Sequence, residues 1–194
     1  MAWEKSDLIA ATSAACAIAV FAFGICQYRS SENWKRSEFV TAQIKDFNSD
    51  RTNRAVLLMM DYDPARVELY PEMEKIADRY VDISFSMLVE AIAKEQNFTD
   101  RQFRVRIYFE QFLKSLSRFN YFLESGAIEP KELCADFAYP IELMTGRARE
   151  IKLKNTGVDI APFSKAAHDY LMRWSYSDII KFENSINQAC YDNK

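Results

Sequence analysis

A chain of 194 residues has room for one domain and a short appended segment, and its 49% apolar and 14% aromatic content excludes disorder and supplies a core. With 4 Gly and 5 Pro it lacks the turn-formers of a many-stranded β fold, so long helices are expected. The net charge of −3 is too small to mark the domain as a whole as a binder of nucleic acid or anionic membrane.

The first element is the clearest. Residues 8–26 read LIAATSAACAIAVFAFGIC without a charge, and as a helix they measure about 28 Å, close to the hydrocarbon thickness of a bilayer. Trp3 before the run, and Tyr28 and Trp34 after it, stand where interfacial aromatics belong. A cleaved signal peptide should have a basic leader, whereas Lys5 here lies between Glu4 and Asp7. A lipidated Cys16 would follow too short an apolar run. The expectation is a retained single-pass transmembrane helix within a 1–28 anchor, followed by a helical domain over 29–194. Arg29, Lys35 and Arg36 follow the run while Lys5 alone precedes it. The positive-inside rule then places the N-terminus outside and the domain in the cytoplasm, at the cell (inner) membrane. Ala11, Ala15 and Ala19 recur every four positions, a small-residue stripe of the kind that lets helices approach in lipid, although alanine-rich segments also produce it by chance. Cys26 at the boundary is a candidate for acylation.

After the anchor, Trp34, Phe39, Val40, Ile44 and Phe47 keep helical spacing, in part as a continuation of the anchor helix. Asn48-Ser49-Asp50 reads as a break and a new cap, starting a helix through Ala55, Val56, Leu58, Met59 and Tyr62 that Pro64 ends. A further helix is expected over 72–94, with Ile76, Tyr80, Ile83, Met87 and Ala91 on one face. Thr99 and Gln102 form a capping box with Phe98 and Phe103 placed for a hydrophobic staple, and the helix they start runs to Gly126. Pro130 opens another helix to about Met144, interrupted at Pro140. Residues 152–161 read as loop, and Pro162 opens two closing helices separated near Ser175. The architecture expected is all-α.

Trp34-Lys35-Arg36 ahead of an amphipathic helix, then Arg104-Val105-Arg106-Ile107-Tyr108-Phe109-Glu110-Gln111-Phe112-Leu113, Glu124-Ser125-Gly126-Ala127-Ile128-Glu129 and Phe137-Ala138-Tyr139 follow one another in a familiar order. The chain resembles small bacterial proteins with one N-terminal membrane helix and an all-helical cytoplasmic domain of unknown function. That resemblance implies the fold class and the anchor, and it supplies no activity and no site residues.

Chemistry is sparse. His168 is the single histidine, which excludes the histidine pairs of di-iron bundles and zincins. Ser164-Lys165-Ala166-Ala167 before it lacks the arginine that helical ribonucleases place there, so His168 reads as a surface or boundary residue. Asp61, Asp63 and Glu68 lack the glycine and spacing of a calcium loop and read as a solvated helix end. Arg104, Arg106 and Arg118 alternate with aromatics, the pattern of arginine stems covering the flank of a core-facing helix. Arg147, Arg149, Lys152 and Lys154 form the most basic cluster and are candidates for contact with anionic lipid. Cys134 and Cys190 stand far apart without metal-ligand spacing, and reduced thiols are expected. No catalytic set, metal site, cofactor loop, nucleic-acid surface or small-molecule ligand is legible. The function expected is a membrane-anchored interaction or regulatory module whose partners are the lipid bilayer and a protein or second copy. The alternative is a membrane-acting effector whose self-association through the alanine stripe perturbs the bilayer in a stress or defence response.

Overall fold

A computed structural model describes residues 5–145 and 158–191; in the first helix, side chains are described at Ser13 and from Cys16 onward. The chain divides into two compact units, Met1–Ala42 and Gln43–Lys194. Among the described residues there are eight α-helices and one two-stranded sheet, so the chain is mainly helical, as its composition requires.

Helix α1 spans Lys5–Ser49, and no proline interrupts it between the apolar run and the stretch that follows. In the apolar run of the first unit, Ile18, Val20, Phe21 and Phe23 are each at least 70% exposed. Among the described residues no helix is long and apolar enough to cross a membrane. Residues 8–12 and 14–15 of the expected span lie outside the described side chains.

The second unit begins with the last turns of α1. Asp50 then caps α2 (Arg51–Asp61), its Oδ1 accepting the amides of Thr52 and Asn53 at 2.9 Å each. The expected helix over 72–94 is corrected. Strand β1 (Ala65–Glu68) pairs antiparallel with β2 (Tyr80–Ile83), a single turn α3 (Ile76–Arg79) precedes β2, and only α4 (Phe85–Ala93) is helix of any length. The reason is local. Ala65, Val67 and Ile83 alternate with polar neighbours and bury one face of the ribbon, while Ile76 and Tyr80 from the expected helical face remain 70% and 41% exposed. Ser84 accepts the Met87 amide and starts α4 at that point.

Helix α5 (Asp100–Glu124) carries the capping box in both directions: the Thr99 amide donates to Gln102 Oε1 at 3.0 Å, and the Gln102 amide to Thr99 Oγ1 at 3.3 Å. It ends at Gly126, whose φ of +71° suits a residue without Cβ. Pro130 opens a 3₁₀ turn (Pro130–Leu133) that runs into α6 (Cys134–Thr145), with Pro140 inside it. Helices α7 (Ala161–Arg173) and α8 (Ser177–Cys190) close the domain, and Ser175 between them has a φ of +56°.

Aromatic rings fill the core where α1, α5, α6 and α8 meet. Phe47, 2% exposed, lies 5.7 Å from Phe112, 5.6 Å from Phe119 and 4.9 Å from Phe137, and Phe137 lies 5.7 Å from Phe182. Burying each ring contributes about 2–3 kcal/mol, and edge contacts add about 0.5–1.5 kcal/mol. A second ring cluster joins α4, α5 and α7 through Phe85, Phe109, Phe163 and Tyr170. The expectation of reduced thiols is also corrected: Cys134 and Cys190 form a disulfide, their Cα atoms 5.7 Å apart, joining the start of α6 to the end of α8. Cys16 and Cys26 are free.

Phe47→Ala empties the centre of the first cluster and is expected to cost about 3–5 kcal/mol. Urea denaturation followed by circular dichroism reads this, and a loss under about 1 kcal/mol would mean that the end of α1 is not part of the core.

Candidate functional site

A cleft of about 420 Å³ opens between the start of α2 and the β ribbon. Arg51 and Arg54 come from α2, Arg66 and Glu68 from β1, and Tyr80 from β2. Ala55 and Val67, 4% and 2% exposed, form its apolar floor. Glu68 is the one carboxylate in the lining, 4.0 Å from Arg51 and also 4.0 Å from Arg79. Arg66 lies 3.9 Å from Asp82 across the ribbon. Arg54 has no ion-pair partner among the described residues.

A different arrangement surrounds Arg106. Its Nη1 donates to the Lys94 carbonyl at 2.6 Å and its Nε to Glu110 Oε1 at 3.2 Å, while its guanidinium lies over the rings of Phe98, Tyr170 and Trp174 at 5.0, 4.9 and 5.6 Å. The Tyr170 hydroxyl donates to the same Glu110 oxygen at 2.6 Å. Burial, then that hydrogen bond and the carboxylate charge, raise the Tyr170 phenol above its ordinary range. These hydrogen bonds fasten α5 to α7 and to the end of α4.

Glu183 on α8 has no hydrogen-bond partner at Oε1 among the described residues. It is 7% exposed, and burial pushes its carboxyl up to about 7.

The residues singled out in the sequence are dispersed. Tyr28 and Trp34, each 66% exposed, and the exposed Arg29, Lys35 and Ala19 all lie on α1, with Arg36 half-buried. Trp3, the side chains of Ala11 and Ala15, and the cluster Arg147, Arg149, Lys152 and Lys154 lie outside the described residues. Asp61, Asp63 and Glu68 do not converge: Asp63 accepts the Phe85 amide at 2.9 Å, Glu68 faces arginines, and Asp61 faces Tyr139, whose phenol burial and that carboxylate raise. His168 is exposed on α7. Arg104 pairs with Glu72 and Asp100 and covers the Tyr70 ring at 4.4 Å, so it serves packing.

The arginine cleft and Glu183 were not singled out by sequence. One signal for the cleft was present: Arg51 and Arg54 occupy the first turn of a helix that has no acid there, against the usual preference. Arg66 joins them only through the strand pairing, which helical periodicity hid. No family model, curated protein or solved structure matches the chain.

Two outcomes follow. Arg106→Ala removes the cation beside Glu110, which keeps Tyr170 as a donor, and the donor to the Lys94 carbonyl, and is expected to cost about 3 kcal/mol in urea denaturation; a cost below about 1 kcal/mol would show the cluster to be peripheral. For Glu183, the folded carboxyl titrates near 7 against 4.5 when unfolded, so its contribution is intact below 4.5 and is lost as pH rises through 7. The loss is on the order of 3 kcal/mol. Glu183→Gln is expected to gain on the wild type in denaturation midpoint as pH rises from about 5 to about 8; parallel curves would place Glu183 in water.

Proposed function

We propose that the chain is a membrane-tethered interaction module: residues 8–26 hold the protein in a bilayer, and the helical domain binds a protein partner or a second copy of itself. The observation that carries this reading is the open apolar surface of α1. Ile18, Val20, Phe21 and Phe23 are 70, 71, 71 and 72% exposed in a run of the helix that carries no charge, and such a surface needs an apolar medium around it. Tethering confines the domain near its partner and raises their effective concentration without any new contact.

The domain is placed on the cytoplasmic side. Arg29, Lys35 and Arg36 against Lys5 act during insertion, before the chain has folded, so they set the side first. The Cys134–Cys190 cystine weighs the other way, because cystines persist in oxidising compartments. Protease added to intact spheroplasts tests the side: a domain digested only after lysis agrees with the proposal, and one digested from outside contradicts the orientation.

Anchoring itself is tested by fractionation. The wild type should stay with membranes through a carbonate wash and leave with detergent, while Ile18→Lys with Phe21→Lys should move to the soluble fraction. Wild-type protein released by carbonate alone would overturn the anchor. Cross-linking in intact membranes should capture a discrete heterocomplex or dimer, and a monomer alone would overturn the interaction.

A further inference from the structure

The cleft at Arg51, Arg54 and Arg66 holds a charge arrangement that the fold does not use. Three guanidiniums line it against the single carboxylate of Glu68, in a chain whose net charge is −3. Like charges gathered around one cleft repel, and an anion between them relieves that repulsion. Helix α2 adds to it. Its first turn carries Arg51 and Arg54 and no acid, at the end where the helix already presents partial positive charge. The Asp50 carboxylate there is engaged by the amides of Thr52 and Asn53.

The pairing within the cleft is weak. Glu68 is divided between Arg51 and Arg79 at 4.0 Å each, longer than a charge-assisted hydrogen bond. Arg66 and Asp82 are 3.9 Å apart with side chains 66% and 60% exposed, a pair that water screens. Arg106, by contrast, makes hydrogen bonds of 2.6 and 3.2 Å and lies over three rings. Arg54 and Arg66 stand at an open cleft with an apolar floor and the Tyr80 ring as one wall. Guanidinium forks match phosphate oxygens two at a time, and the volume falls within the range of small-ligand sites.

We propose that this cleft binds the phosphoryl group of a phosphorylated small molecule, with Arg54 and Arg66 holding the oxygens, Arg51 supplying further positive charge, and the rest of the ligand against Val67 and Tyr80. The phosphoryl group can belong to a free phosphorylated metabolite or to a lipid headgroup; the recognition chemistry is the same. The proposal does not rest on the anchor or on a protein partner.

The test uses the full chain in phosphatidylcholine nanodiscs, titrated calorimetrically with inorganic phosphate and with adenosine monophosphate. Saturable binding is expected, weakened roughly tenfold or more by Arg54→Gln or Arg66→Gln, weakened by added salt, and unchanged by Arg118→Gln, an exposed arginine on α5. Both cleft arginines are exposed, so their variants should retain the wild-type melting midpoint, which is checked alongside. The second arm is native mass spectrometry of the full chain in detergent with phosphatidylglycerol or phosphatidylcholine. Silent soluble probes with a phosphatidylglycerol adduct lost in the Arg54→Gln, Arg66→Gln double variant identify a lipid headgroup as the source. The proposal is overturned if no probe binds up to about 10 mM, or if the double variant binds as the wild type does.

Discussion

The ring of Phe47 decides where the helical domain begins. It sits in the last turns of α1, yet its neighbours are Phe112 on α5 and Phe137 on α6, and through them Phe182 on α8. Removing water from those rings rewards keeping the end of α1 helical and in place, and Asp50 then redirects the chain into α2. The elements that meet at this cluster come from both ends of the domain sequence. The start of the domain therefore packs on helices from its middle and, through Phe137, on its last helix.

Two kinds of arginine follow from that frame. Where α4, α5 and α7 meet, Arg106 is buried against rings and hydrogen-bonded to Glu110 and the Lys94 carbonyl, which ties three helices together. At the mouth of the ribbon, Arg51, Arg54 and Arg66 are gathered by α2 and β1 but incompletely paired. The same residue type is structural in one place and available in the other, and pairing, not identity, separates them.

The elements legible in the sequence are those with strong local signals. The Thr99–Gln102 capping box, Asp50 as a cap, Gly126 as a stop and Pro162 as a start all act within a turn of the residues concerned, so no tertiary knowledge was needed. What was illegible depends on distant pairing. Residues 72–94 keep a helical apolar period, but Tyr80–Ile83 is drawn into a strand because β1 lies alongside to satisfy its backbone. Cys134 and Cys190 are 56 residues apart and meet only because α6 and α8 pack together. The arginine cleft was hidden for the same reason, as Arg66 reaches Arg51 and Arg54 only once β1 lies against α2. Glu183 stands beside Lys181, Asn184 and Ser185 in sequence, and its burial comes from neighbours in space.

Under the proposed function α1 serves two media, lipid around residues 8–26 and a protein core around Phe47. Hydrogen exchange of the full chain in bilayers, resolved by segment, tests both ends in one measurement. Amides over 8–26 should hardly exchange, and those over 43–49 should exchange no faster than the centre of α5. Free exchange over 8–26, or exchange over 43–49 while α5 stays protected, would contradict the account.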